Sequence, residues 1–338
     1  MEQDGPSDPR IEPERPPTLP TGPHPTVGPG TITMPRWPGP VLAIGGALLF
    51  LGALSAITLI DQGQLVVDDP RLVAWIALLG GALFVVGLVY ASIRQLRVRA
   101  HLPPERYRGP SVLLLLGLVI VITNVIALPF ASDAAALIMG SGELSLLGTI
   151  VILVSTQVAL LLVTWLFVVR PRALIGVPVP GPDTPGAIRS GLVWGIAGWF
   201  VATLVSAVVV FVLDLLGIEA VPQAAEQALA VIDPWVAILS IAIVAPIAEE
   251  IFFRGVAFNA WLREGGRRAA YIGSSVLFGV IHLNLVAFVP IVLLGLILAW
   301  VYERTRNIVA PIVVHAVFNG INVAIFLLER ADIIQLPT

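Results

Sequence analysis

Between Val41 and Leu328 the chain is a succession of apolar runs, most about 20 residues long, the length an α-helix needs to cross a bilayer core. The runs lie near Val41–Ile60, Leu72–Ile93, Ser111–Phe130, Leu144–Val169, Ile188–Leu216, Trp235–Ala260, Ala269–Leu283, Val286–Tyr302 and Ile308–Leu328. Hydrophobic residues make up 57% of the 338 residues and charged residues 12%, far from a soluble balance. The reading is an all-α, polytopic transmembrane helical bundle of about nine spans. The seventh and eighth runs are short and divided only by a turn near Asn284. Gly45-Gly46, Gly80-Gly81 and Gly191 to Gly198 suit close helix packing, and Trp75, Trp165, Trp199, Trp235 and Trp300 suit interfacial belts.

Met1 to about Pro40 is polar and rich in proline and glycine, with Pro16-Pro17 and Gly28-Pro29-Gly30. Such a segment buries too little apolar surface to fold and is expected to be a disordered tail. Net charge is −3, so no basic patch points to nucleic acid. Cysteine is absent from the sequence, which excludes disulfides, thiol catalysis and thiolate metal sites.

Arginines fall in alternate connectors. Arg94, Arg97, Arg99, Arg106 and Arg108 follow the second run; Arg170, Arg172 and Arg189, then Arg263, Arg267 and Arg268, then Arg304 and Arg306 follow later ones. The other connectors carry acids and almost no arginine. The positive-inside rule then predicts a cytoplasmic N-terminus and, with nine spans, an external C-terminus. The pattern fits a prokaryotic plasma membrane.

The sixth run holds what a membrane span normally excludes: Glu249-Glu250-Ile-Phe-Phe-Arg254. A charged side chain at bilayer depth costs at least about 2.5–3.5 kcal/mol unless it is paired or faces a cavity. Glu250 and Arg254 are four apart on one helix face and can pair. Glu249 points about 100° away, free to face a reactive centre. Downstream runs carry Phe278-Gly-Val-Ile-His282 and His315-Ala-Val-Phe-Asn319, the last pair projecting from one face. Counted from the helix ends, Glu249 and His315 lie at similar depth and His282 deeper, unless the seventh helix starts late. Asn124, Gln157 and Asp214 read as helix glue or interfacial residues.

The ordered set Glu-Glu-x-x-x-Arg, Phe-x-x-x-His and His-x-x-x-Asn resembles the CAAX protease and bacteriocin-processing (Abi) family of intramembrane endopeptidases. The resemblance runs from Trp235 to about Leu328. It implies a division into a tail (1–40), variable N-terminal transmembrane helices (41–187) and a catalytic bundle (188–330). It further implies Glu249 as general base, His282 positioning or activating water, Glu250 and Arg254 supporting the site, and His315 and Asn319 stabilising an oxyanion. Amide hydrolysis asks for such a base, and donors in a low-dielectric cavity meet a developing oxyanion strongly. Zinc could take Glu249, His282 and His315 as ligands with one position open, although no His-Glu-x-x-His pattern occurs. A metal-free, glutamate-based mechanism is equally consistent with the residues.

The partners implied are the lipid bilayer and a membrane-associated protein or peptide substrate, such as a prenylated C-terminus, a leader peptide or an anchored regulator. Two other classes compete. One is a non-proteolytic scaffold or immunity-type protein that uses the buried polar cluster structurally. The other is a proton-coupled transporter, disfavoured because no internal repeat is visible. Glu219–Asp233 reads as a connector or, less simply, as an amphipathic lid.

Overall fold

In lipid each backbone polar group must find its partner within its own segment, which leaves a long apolar run little choice but helix. A computed structural model describes residues 34–61, 64–66, 69–130, 132–133, 145–175, 183–217, 232–282 and 284–334. Most of the expected tail and of the Glu219–Asp233 connector lies outside the described residues. Among the described residues, eight helices are long and apolar enough to span a membrane. They are α1 (Pro38–Asp61), α2 (Pro70–Arg99), α3 (Val112–Ala127), α4 (Leu146–Val169), α5 (Thr184–Leu215), α6 (Pro234–Val280), α7 (Leu285–Thr305) and α8 (Val309–Arg330). No strand occurs among the described residues. The protein is a multi-pass membrane protein.

The count of eight, against nine apolar runs, has one cause. At 47 residues α6 would run about 70 Å as a straight helix, more than twice the hydrocarbon thickness of about 30 Å. It does not run straight. Gly266 takes φ +78° and ψ −174°, a conformation that suits glycine, and the chain reverses there. Ring contacts between Phe258 and Tyr271, then between Phe253 and Phe278, run outward from this point, so the two arms lie antiparallel. The sixth and seventh runs are the arms of this hairpin.

Local sequence explains the helix starts. Asp69, Ser145, Asp183 and Asn284 each accept a backbone N–H in the first turn of α2, α4, α5 and α7. Large apolar side chains such as Leu48, Phe200, Leu204 and Phe211 remain exposed on the bundle surface, as a lipid solvent allows. The core gathers around Leu115, Leu160, Phe252, Phe253, Phe278, Leu298 and Val314, from α3, α4, α6, α7 and α8.

Glycine sets two of the helix contacts. α1 packs on α2 with Gly46 against the Phe84 backbone and Gly80 against that of Phe50. α5 packs on α8 with Gly191 and Gly195 beneath Val313 and Val317, where added Cβ atoms would stand 2.6 and 2.7 Å from the valine Cβ atoms. Gly195→Leu is therefore expected to lower stability by about 1–3 kcal/mol through overpacking. Gly45→Leu, with nothing within 4 Å, should leave thermal unfolding in detergent nearly unchanged. Equal effects of the two changes would refute this packing account.

Candidate active site

The first arm of α6 is not a uniform helix. Its Ala245–Glu250 turn is α-helical, but π-helical stretches, Ile238–Val244 and Ile251–Phe258, flank it on both sides. Such wide turns inside helices rotate the residues beyond them and are frequent at functional sites. Pro246 supplies the local reason for the first, because it removes an N–H and crowds the preceding turn.

The carboxylate turn then faces α8. Glu250 Oε1 accepts from Arg254 Nη1 at 2.9 Å and from His315 Nδ1 at 3.0 Å. Arg254 Nη2 donates to the Gly295 carbonyl on α7 at 3.0 Å, and its guanidinium lies 4.8 Å from the centroid of the Phe278 ring. Gly295 can offer that carbonyl because α7 approaches Ser275 so closely that an added Cβ would stand 2.9 Å from its Cα. Glu250 and Arg254 are both wholly buried. The expected pair is present and joins three helical elements.

Glu249 stands apart, as its position on the helix predicts. Its Oε2 is 3.9 Å from His315 Nε2. The imidazole thus lies between the two glutamates, one nitrogen toward each. Because Glu250 accepts from Nδ1, the neutral ring keeps its lone pair on Nε2, facing Glu249. The Glu249 side chain is 14% exposed, against 0% for Glu250 and Arg254 and 3% for His315. It is the member of the cluster that a second molecule can reach. Glu249 Oε2, Glu250 Oε2 and Arg254 Nε are buried without a hydrogen-bond partner among the described residues. Three orphaned polar atoms in one place mark a site prepared for water or another ligand.

The hairpin resolves the depth of His282. Glu249 lies four residues before Phe253 and His282 four after Phe278, so the two stand level across the antiparallel arms. His282 nevertheless stays outside the ion-paired cluster. Its ring packs edge-on against Phe278 at 4.9 Å and its Nδ1 donates to the Phe278 carbonyl at 2.7 Å. His315 packs on the same phenyl ring at 5.5 Å, so Phe278 sits between the two imidazoles. Asn319, one turn beyond His315, donates from Nδ2 to the Ile241 carbonyl at 2.9 Å.

A zinc ion on Glu249, His282 and His315 would need the three to converge. Among the described residues no three His, Asp or Glu side chains come together as a metal-binding group. As they stand, the donors do not fit zinc. Three participants are not marked by the charged motifs: Gly295, Asn259 and Tyr302. Asn259 Nδ2 donates to the Arg254 carbonyl at 2.7 Å and to Tyr302 Oη at 2.8 Å. A polar residue five positions after Arg254, in an apolar run, is the signal that could have found Asn259. Of the expected helix glue, Asn124 bonds to Ile120 in its own helix, and Gln157 is buried on α4.

The family model described as type II CAAX prenyl endopeptidase Rce1-like matches residues 231–321. A Bacillus subtilis (strain 168) protein named "Putative membrane peptidase YdiL" is 33% identical over 136 residues, covering 39% of this chain and 55% of that protein. The UPF0177 protein YxdF of Lactococcus lactis subsp. lactis is 31% identical over 78 residues, 23% of this chain and 42% of the relative. A UPF0177 protein from the abiGi 5′ region of Lactococcus lactis subsp. cremoris is 33% identical over 95 residues, 27% of this chain and 38% of the relative. The matches thus span about half or less of each relative's length. No solved structure matches the chain. All six motif residues, from Glu249 to Asn319, fall inside the 231–321 segment, and in that segment the chain is similar to the CAAX prenyl endopeptidase family.

Proposed function

We propose that this protein is an intramembrane endopeptidase that hydrolyses a peptide bond in a membrane-associated protein or peptide. The observation that carries the reading is the Glu249 carboxylate, unpaired at Oε2 and partly accessible, opposite an imidazole held by a fully buried glutamate. Glu249 takes a proton from a water molecule, which attacks the carbonyl carbon of the scissile bond, and the proton passes on to the leaving amine. Glu250 and Arg254 hold the His315 ring, the arginine fixing the glutamate that fixes the imidazole. The proton taken by Glu249 can pass to the facing His315 Nε2, which is then a donor available to the tetrahedral oxyanion before that proton reaches the leaving amine. His282, level with Glu249 on the other arm, is assigned the positioning of water or substrate. Its Nδ1–H bond to the Phe278 carbonyl leaves Nε2 as the available nitrogen.

The matching family and the Bacillus subtilis relative support a CAAX-protease-like membrane peptidase, and the client is a membrane-anchored peptide or protein. Location in the plasma membrane with the N-terminus in the cytoplasm belongs to the same proposal and rests on the arginine pattern of the connectors.

The test is cleavage of a library of membrane-anchored peptides by the protein in liposomes, with Glu249→Gln and His282→Ala alongside and bound metal measured on each. Cleavage abolished by Glu249→Gln and cut at least tenfold by His282→Ala supports the assignment. Stoichiometric zinc lost in His282→Ala would mean that Glu249, His282 and His315 close on a metal that their present positions keep apart. Absence of any cleavage, with both variants still fulfilling the cellular role, would favour the scaffold function.

A further inference from the structure

Pro246 lies three residues before Glu249 on the same helix, and its missing N–H has a traceable consequence. In the widened turn ahead of it, the Ala245 N–H reaches back five residues to the Ser240 carbonyl. That leaves the Ile241 carbonyl stranded. Its α-helical donor, Ala245 N–H, is committed to Ser240, and its π-helical donor would be position 246, which is proline. A backbone carbonyl cannot be left unpaired at membrane depth without a large cost. The group that reaches it is Asn319 Nδ2, at 2.9 Å, from α8.

An asparagine amide also caps the far end of the site. Beyond Arg254 the second wide stretch ends with the Asn259 N–H bonded to the Val256 carbonyl. Asn259 Nδ2 then meets the carbonyls of Arg254 and Gly255 at 2.7 and 3.2 Å, steadied by Tyr302 Oη. An asparagine amide therefore stands at each end of the Glu249-Glu250-Arg254 segment.

We propose that Asn319 is a positioning residue that acts through the Ile241 carbonyl. Its amide pins the proline-widened turn of α6 to α8 and so sets Glu249 Oε2 opposite His315 Nε2. Asn319 and His315 stand one turn apart on α8, and the Ile241 carbonyl lies just before the carboxylate turn on α6, so one bond fixes the register of the two helices where the site forms. This assigns Asn319 a different task from the oxyanion donor implied by family resemblance. The catalytic consequence rests on the peptidase reading; the clamp itself does not.

The cause of the stranded carbonyl can be removed, which makes the test a double-mutant cycle. Pro246→Ala restores an N–H at the position that can serve Ile241. Asn319→Leu keeps the approximate shape and removes the donor. On the natural background Asn319→Leu is expected to lower the unfolding midpoint in detergent by about 3–6 °C and to cut kcat by about tenfold or more with KM unchanged. On the Pro246→Ala background each loss should shrink to less than a third. Equal losses on both backgrounds would show that Asn319 does not act through Ile241, and the proposal fails. If the natural protein cleaves no peptide, the peptidase reading falls while the thermal cycle still decides the clamp. Should the double variant not fold, hydrogen exchange on Asn319→Leu alone decides it. Amide protection over residues 241–250 should drop about tenfold relative to α2, and unchanged protection overturns the proposal.

Discussion

Glu249→Gln is expected to reduce peptide cleavage by about 10²–10⁴-fold, the usual contribution of a positioned general base, with the unfolding midpoint almost unmoved. The second half of that expectation is the discriminating one. Glu249 Oε2 accepts no hydrogen bond from the described residues, and the side chain is the most exposed of the cluster. Exchanging its charge for an amide therefore breaks little that holds the bundle. Glu250→Gln should also lower the unfolding midpoint, because Glu250 Oε1 binds both Arg254 and His315 and is wholly buried. Parallel cleavage assays and thermal melts of the two variants separate chemistry from architecture. A Glu249→Gln protein that keeps more than a tenth of the natural cleavage rate would remove Glu249 from the role of base.

The largest loss of stability should come from Arg254→Met. Removing one partner of a buried ion pair typically costs about 3–5 kcal/mol, because the other charge is stranded without solvent. Here Glu250 would keep only the His315 bond, and the Gly295 carbonyl would lose its donor. Replacing both residues at once, as Glu250→Leu with Arg254→Met, should restore most of that stability, since a well-packed apolar pair in this position carries no desolvation penalty. Cleavage should be lost in the double variant, where the His315 ring has lost the carboxylate that orients it, and reduced in the single one, where that carboxylate has lost the arginine that fixes it. Chemical unfolding in mixed micelles measures all three proteins. A double variant no more stable than the single one would mean that the pair is needed for more than mutual neutralisation.

Much of this arrangement is legible in the sequence, for definite reasons. The bundle follows from the length and apolarity of the runs, since lipid permits few alternatives to helix. The Glu250–Arg254 pair follows from i, i+4 spacing, and the separate direction of Glu249 from the 100° step between neighbours. Other features depend on information that no spacing rule carries. Depth counting from the ends of the apolar runs leaves His282 deeper than Glu249; counted from the turn at Gly266, about 17 residues back and 16 on, the two come level. The partner of Glu250 on α8 is His315 through Nδ1, a contact between residues 65 positions apart. The roles of Gly295 and Ile241 are invisible for another reason: each contributes a backbone carbonyl, and any residue type has one. Pro246 was the available clue, since a proline inside a run that must hydrogen-bond internally creates a debt for another helix to settle. Trp199, one of the residues expected in an interfacial belt, also has a specific partner, donating from Nε1 to Asn322 on α8 at 2.8 Å.

The reversal at Gly266 also orders events in time. Glu249 and His282 stand on neighbouring arms of a single helical hairpin, so bringing them level needs only local closure and carries a small entropic cost. α6 can therefore fold back and bring these two groups level before the rest of the bundle exists, as local contacts form ahead of distant ones. His315 and Asn319 arrive only with α8, the last described helix of the chain. Until then Glu250 and Arg254 have each other, but the imidazole that faces Glu249 is missing. A nascent chain would carry the base and lack the assembled centre, so catalytic competence waits for α8 to insert.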